Sequence, residues 1–245
     1  MLSAFLKRFA NCMIFGYNQV DFHEKKPLFM LISRKNIVFW AMMLFSSLEM
    51  AAQSEIFRAD TLSDAVFSRM QGRSYPSNCT VRRDELRLLT LTYCDFDGAT
   101  QQGELVCNKA IAQDLIAIFR ELYRQRYPIA QIRLIDDFDA DDERSMQANN
   151  TSCFCFRAVS GSRKLSKHAQ GLAIDLNPLQ NPCVKRRKDG TLDVQPATAR
   201  FYANRSRNFK YKITRNDLAY RLFKQRGFRW GGDWKSLKDY QHFEK

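Results

Sequence analysis

Histidine is scarce in this chain, whose 245 residues contain only three, at positions 23, 168 and 242. Residues 60–245 also lack repeats, low-complexity segments and linkers rich in proline, glycine or serine, which favours a single domain. No two cysteines have C-x-x-C spacing, since Cys153 and Cys155 are separated by one residue. A structural zinc knuckle is therefore not expected.

No apolar run in the sequence is long enough to span a bilayer, which needs roughly 20 apolar residues. One shorter run, IVFWAMMLFSSL at 37–48, follows Arg34 and Lys35 and precedes the small residues MAA at 50–52. This is the layout of a secretory signal. We expect residues 1–52 to be an N-terminal extension with a signal peptide, and translation to start at Met30. The protein would then be exported to the periplasm or the extracellular space, without stable membrane insertion after cleavage.

If residues 1–29 belong to the protein, the alternative is an uncleaved N-terminal membrane anchor. In both cases residues 53–245 would form one domain, with its core at about 70–245.

Acidic residues are outnumbered, with 26 Asp and Glu against 39 Lys and Arg, a net charge of +13. The excess persists in residues 53–245, because residues 1–52 hold only six basic and three acidic residues. Composition alone allows nucleic acid, an anionic membrane surface or an anionic polymer as a partner. The chain carries no recognised nucleic-acid-binding motif, and its expected export signal argues against nucleic acid as a partner. We therefore expect no nucleic-acid partner.

Six of the seven cysteines lie in residues 53–245. An even number of cysteines in an exported chain permits disulfides, although their pairing cannot be derived from spacing. We expect one or two disulfides, with the other thiols buried.

Strand and helix patterns are interspersed along the chain, which predicts an α+β fold. The clearest helix follows Asn108, a capping residue, and repeats apolar side chains at intervals of three and four until it stops before Pro128. Three further elements are expected: a strand over 86–97, a buried strand over 129–139 that enters an acidic loop, and a helix over 216–226 capped near Thr214 or Arg215 and ended by Gly227.

The stretch SKHAQGLAID, residues 166–175, concentrates chemically active residues around a predicted strand. In LAIDL, 172–176, alternation places Ile174 and its apolar neighbours on one face and Asp175 on the other. A carboxylate inside a sheet is costly to bury unless a cation or several donors meet it. Gly171 allows the chain to bend, so His168 can return towards Asp175.

The C-terminal stretch DYQHFEK places Asp239 and His242 three residues apart, close enough for one turn to present both. Two histidines and an aspartate, with a second carboxylate nearby, are the composition of a catalytic zinc site with a base. An iron(II) facial triad uses the same residue types. Its histidine and carboxylate usually lie nearly adjacent in sequence, however, whereas His168 and Asp175 are seven residues apart. An ordinary structural role for these residues is the remaining alternative.

The two stretches match the patterns S-x-H-x-x-G-x-A-x-D and D-x-x-H-F-E, which resemble the zinc D-Ala-D-Ala carboxypeptidase family. The likeness is to its VanY-like and L-alanyl-D-glutamate peptidase branch. It covers roughly residues 70–245 and includes four further segments: LVCNKAIAQDLIAIFRELY, NNTSCFCFR, NPLQNP and GFRWGGDW.

The resemblance implies a Hedgehog/DD-peptidase-like fold, in which a small antiparallel sheet carries the zinc site and helices pack behind it. It implies that one zinc ion is bound by His168, Asp175 and His242. Asp239 would be the general base and acid; many relatives have glutamate there, but the VanY-like branch is similar to this chain in using aspartate.

Two further residues take roles from the same resemblance. Arg157 would stabilise the oxyanion or anchor a substrate carboxylate, and Ser166 would contact the substrate or support a ligand. The implied function is an exported zinc peptidase that hydrolyses peptidoglycan stem peptides, either as a D-alanyl-D-alanine carboxypeptidase or as an L-alanyl-D-glutamate endopeptidase. The alternative is a non-catalytic zinc-containing binding module of the same fold.

Overall fold

The structure is a computed structural model, and it describes residues 55–159 and 162–245. The signal peptide expected within residues 1–52 lies outside these ranges. Strands are β1 (Phe57–Thr61), β2 (Leu86–Cys94), β3 (Thr100–Asn108), β4 (Gln131–Ile132), β5 (Asn150–Thr151), β6 (Ala173–Asp175), β7 (Cys183–Arg186), β8 (Leu192–Gln195), β9 (Arg229–Trp230), β10 (Lys238–Asp239) and β11 (His242–Glu244).

The α-helices are α1 (Asp64–Met70), α2 (Lys109–Arg124), α3 (Asp142–Gln147), α4 (Arg200–Ala203) and α5 (Leu218–Gln225). Short 3-10 helices occupy Arg83–Glu85, Ile135–Phe138, His168–Gln170, Ala197–Ala199 and Gly231–Asp233. Among the described residues, no helix is long and apolar enough to cross a membrane.

The strands form several small sheets rather than one large one. Three antiparallel sheets have the orders β1-β2-β3, β10-β7-β8 and β6-β11-β9, and β4 pairs with β5 in parallel. Helices and small antiparallel sheets are therefore mixed, as expected for the predicted α+β class.

The largest hairpin, β2-β3, packs against helix α2 and forms the main core. Asn108 caps α2 as predicted, because its side chain accepts a hydrogen bond from the backbone N–H of Ala110 at 3.0 Å. The apolar face of α2 is buried against the sheet, and each such Leu, Ile or Phe side chain stabilises the fold by about 1.5–3 kcal/mol. Its buried side chains include Ile111, Leu115, Ile118, Phe119 and Leu122.

The buried strand expected over 129–139 is wrong beyond its first residues. Only β4 is extended, and the chain then turns into the 3-10 helix Ile135–Phe138. This turn buries Asp136, whose carboxylate accepts hydrogen bonds from the backbone N–H and the hydroxyl of Ser74 at 3.1 and 2.9 Å. A distant hydrogen-bond partner thus overrides the local apolar pattern.

The helix expected over 216–226 exists as α5 but begins at Leu218. Asp217 is its capping residue rather than Thr214 or Arg215, because its carboxylate accepts from the backbone N–H of Ala219 at 2.8 Å. Gly227 follows the helix at φ +82°, the left-handed conformation predicted for it.

The expected disulfides are not formed, since all six cysteines among the described residues are free. Their thiols point to different parts of the fold. Cys153 and Cys155, for example, donate to the carbonyl oxygens of Gly171 and Ala140 respectively. The expectation failed because an even cysteine count does not establish that any two thiols are within bonding reach.

Gly171 joins the start of α2 to the loop that carries His168. Its φ is +67°, and an added Cβ would lie 2.7 Å from the backbone nitrogen of Asn108, which donates to the Gly171 carbonyl at 2.9 Å. We expect Gly171→Ala to lower the free energy of unfolding by about 1–3 kcal/mol, the cost of a strained backbone. Urea unfolding measures this loss. Gly190→Ala is the control for positive φ without a steric clash, since no atom lies within 4 Å of its Cβ position.

Candidate active site

His168 is oriented by two contacts within its own loop region. The Ser166 hydroxyl accepts from the His168 backbone N–H at 3.2 Å, and Nδ1 of the ring lies 2.6 Å from the carbonyl oxygen of Cys153. A carbonyl oxygen can only accept, so Nδ1 donates to it. The other ring nitrogen, Nε2, faces the interior of the site and is the atom of this ring that could bind a metal.

Asp175 and His242 are placed together by strand register. Strands β6 and β11 are antiparallel, and Asp175 lies directly opposite His242. The two side chains share one face of the sheet, while Ile174 and Phe243 face the core. Sheet pairing thus joins two residues that are 67 positions apart in sequence.

Three ligand atoms converge to form a small triangle. His168 Nε2 lies 3.1 Å from His242 Nδ1. The two carboxylate oxygens of Asp175 each face one ring, with Oδ2 at 3.2 Å from His168 Nε2 and Oδ1 at 3.0 Å from His242 Nδ1. One ligand atom from each of the three residues lies within 4.8 Å of the other two. All three residues are buried. A tetrahedral zinc ion with ligand bonds of about 2.0–2.1 Å has ligand–ligand edges of about 3.3 Å. The spacings between neighbouring ligand atoms are therefore close to those that such a coordination sphere requires.

Glu244 fixes the second histidine from behind. Its Oε2 lies 3.3 Å from His242 Nε2, and its Oε1 accepts from Arg229 at 2.7 Å. The contact holds a proton on Nε2, so Nδ1 is the nitrogen that would bind a metal once its own proton is displaced. Burial lowers the pKa of His242, yet hydrogen bonds to Asp175 and Glu244 raise it to about 10. The buried carboxylates around His242 therefore stabilise a positive charge there, whether a proton or a metal ion.

We expect Glu244→Gln to weaken zinc binding by about 10- to 100-fold, because an amide orients and polarises the histidine less than a carboxylate does. Titration of the metal-free variant with zinc against a competing chelator measures the change. Arg229→Gln, which removes the outer ion pair but keeps the carboxylate, should have a smaller effect. Equal zinc affinity in Glu244→Gln and the parent protein would contradict this role.

Asp239 occupies strand β10, where it pairs with Cys183 of β7. Gly231 packs so closely that an added Cβ would lie 2.6 Å from the Asp239 carbonyl oxygen. The Oδ1 atom of Asp239 is buried and has no hydrogen-bond partner among the described residues. Burial and the charge of Asp175 raise the pKa of Asp239 to about 6. Such a carboxylate can exchange protons near neutral pH.

Arg157 approaches the same space from another side. Its Nη2 forms an ion pair with Asp142 Oδ2 at 2.7 Å, while its Nε is buried without a hydrogen-bond partner in the part of the chain that the structure describes. Burial lowers the pKa of Arg157, but the nearby negative charges, chiefly that of Asp142, more than offset this effect, so the pKa is raised overall. The guanidinium is thus held charged and still has a donor to offer.

One cleft contains all of the residues that sequence reasoning selected for the site. They are Arg157, Ser166, His168, Asp175, Asp239 and His242. Trp234 forms part of the same wall, with its ring 5.2 Å from the His242 ring. Ser166 is buried and accepts from the backbone of His168, so its observed contact supports the ligand loop.

Comparison with known proteins bears on the same region. Residues 160–245 match the family model described as D-alanyl-D-alanine carboxypeptidase. The match confirms the family resemblance found in the sequence and supports a peptidase function in general terms. It includes every predicted site residue except Arg157. No curated protein and no solved structure matches the chain. The resemblance assigned to residues 70–159 stays a prediction.

Three residues of this site were missed by sequence reasoning. Glu244 carried a signal, because alternation in the strand HFE places it on the same face as His242. Asp142 had none, since its pairing with Arg157 depends on how α3 packs. Cys183 lines the cleft beside Asp239, but its proximity follows only from the pairing of β7 with β10.

Proposed function

We propose that this protein is an exported zinc-dependent peptidase that hydrolyses peptidoglycan stem peptides, acting as a D-alanyl-D-alanine carboxypeptidase or an L-alanyl-D-glutamate endopeptidase. The observation that carries the proposal is the convergence, in one cleft, of a buried ligand triangle and the carboxylate of Asp239, whose Oδ1 has no hydrogen-bond partner among the described residues. The family match over residues 160–245 supports it. A wall substrate would place the protein in the periplasm or outside the cell.

The donor set fits zinc by its chemistry as well as by its shape. His168, Asp175 and His242 would hold the ion through two imidazole nitrogens and a carboxylate oxygen, leaving a fourth position open. The other ring nitrogens already have acceptors, in the Cys153 carbonyl and Glu244. When bound, zinc supplies a Lewis acid and lowers the pKa of water to about 7.

Asp239 would accept the proton of the attacking water and later deliver it to the leaving amine. Its raised pKa suits both roles, because a group that titrates near pH 6 can gain and lose a proton during turnover. The close packing of Gly231 against its backbone limits how far the carboxylate can move. Proton transfer therefore depends on a fixed position of the side chain.

Arg157 would bind either the carbonyl oxygen on which charge develops or a carboxylate of the substrate. Its buried Nε has an unused donor, and the ion pair with Asp142 orients the guanidinium towards the cleft. Trp234 covers His242 and would keep bulk water from this side of the site.

The alternative, a non-catalytic zinc module, does not account for Asp239. A binding module needs no carboxylate with a buried, unpartnered oxygen three residues before a ligand, because burying that oxygen is costly. The cost is explained if the oxygen meets a water or a substrate proton during catalysis.

The test is digestion of defined muropeptides by purified residues 53–245, with and without a chelator, followed by mass analysis of the products. Loss of a terminal D-alanine supports carboxypeptidase action, and a cut between L-alanine and D-glutamate supports endopeptidase action. If zinc binds but no muropeptide is cleaved, the binding-module alternative is correct. Cleavage that survives complete removal of metal would overturn zinc dependence.

A further inference from the structure

One wall of the cleft is the three-stranded sheet β10-β7-β8. Its first row across the strands consists of Asp239, Cys183 and Gln195, which are direct partners in the two pairings. All three line the cleft. Side chains alternate along a strand, so the next position of β7 on this face is Lys185, and Asp193 lies opposite it on β8.

The charges on this wall are unevenly paired. Asp193 forms an ion pair with Arg187 at 3.3 Å, although Lys185 is its direct cross-strand neighbour. Lys185 is exposed and lines the cleft, and among the residues that the structure describes no carboxylate lies within ion-pair distance of it. The wall therefore presents one unneutralised ammonium group to whatever occupies the cleft.

The position of Lys185 along β7 sets what it can reach. Cys183 lies in the same row as Asp239. Lys185 is two residues further along β7, which is about 6.6 Å from that row. An extended peptide advances by about the same 3.3 Å per residue. If a substrate binds along this wall with its scissile bond near Asp239, Lys185 would contact a side chain or terminus that is one or two residues away from that bond.

We propose that Lys185 is a specificity-determining residue that binds a substrate carboxylate one or two residues from the scissile bond. The inference rests on the proposed peptidase function and adds which residue of this chain recognises a carboxylate of the substrate. An ammonium group and a carboxylate form a charge-assisted hydrogen bond, which a neutral amide at the same position cannot replace. Lys185 touches no reacting atom, so its contribution belongs to substrate binding.

The chain offers a matched control in Arg186. It follows Lys185 on the same strand and is also exposed, but alternation turns it to the other face and it does not line the cleft. Lys185→Met and Arg186→Met each remove one positive charge from the hairpin. Only the first removes a charge that faces the substrate, so general electrostatic attraction is separated from direct contact.

The experiment compares two peptides of identical sequence, one with the carboxylate near the scissile bond free and one with it amidated. We expect Lys185→Met to lower kcat/KM on the acidic peptide by about tenfold, through KM, and to change the amidated peptide little. Arg186→Met should behave as the parent protein on both. Lys185→Arg, which keeps the charge, should restore the preference for the acidic peptide.

Two results would overturn the inference, and they are distinguishable. If the parent protein cleaves both peptides but Lys185→Met loses nothing relative to Arg186→Met, Lys185 binds no carboxylate and the proposed function is unaffected. If the parent protein cleaves no peptide in the presence of zinc, the proposed function fails and the inference fails with it. Unchanged zinc content and melting temperature establish that each variant is folded.

Discussion

Replacing Asp239 with asparagine is expected to lower kcat by about 10²- to 10⁴-fold while zinc remains bound, because general acid–base help contributes that much to catalysis. Asparagine keeps the size of the side chain but cannot accept and return a proton. Asp239 is not one of the three residues of the ligand triangle, so the metal should stay. Steady-state kinetics and zinc content, measured on the same preparation, test both halves of this expectation.

A control for Asp239→Asn is available in the same segment. Asp233→Asn removes a carboxylate that is paired with Arg215 and does not line the cleft, so kcat should be unchanged. If Asp239→Asn retained full activity, the base would have to be another residue. If it lost zinc instead, Asp239 would be a ligand and the triangle of His168, Asp175 and His242 would not be the complete set.

Replacing His168 with alanine is expected to remove the metal itself. The variant loses one of three ligands and also the ring that Cys153 holds in place, so zinc content should fall from about one ion per chain to background. Hydrolysis should fall to the level of the chelated parent protein, since the two remaining ligands cannot retain the ion. Elemental analysis after dialysis measures the loss directly.

Gln170→Ala is the matched control for this loop. Gln170 is exposed in the same 3-10 turn, and its contact to the Asn108 side chain uses the backbone carbonyl, which alanine keeps. Zinc content and activity should therefore equal those of the parent protein. Retention of stoichiometric zinc by His168→Ala would contradict the assignment of His168 as a ligand.

Much of the fold was predictable where local chemistry decided it. The cap at Asn108, the amphipathic face of α2 and the turn at Gly227 follow from residue type and spacing, and the structure contains each of them. The segment 129–139 was mispredicted because Asp136 finds its partner in Ser74, 62 residues away. A local pattern contains no information about such a partner.

The site shows the same division. Sequence selected His168, Asp175 and His242 because their residue types suit a metal, and the strand pattern placed Asp175 on the polar face. Their convergence depends on the register of β6 against β11, which only pairing can fix. The ion pair between Asp142 and Arg157 was not predictable, because it depends on how α3 packs beside the cleft.

The most direct test of the account is a zinc titration of the metal-free protein while hydrolysis of a muropeptide is followed. Activity should rise linearly, stop rising at about one equivalent of zinc, and not rise at all in His168→Ala. Activity that is already complete before zinc is added, or that is restored equally in His168→Ala, would contradict a zinc peptidase built on His168, Asp175 and His242.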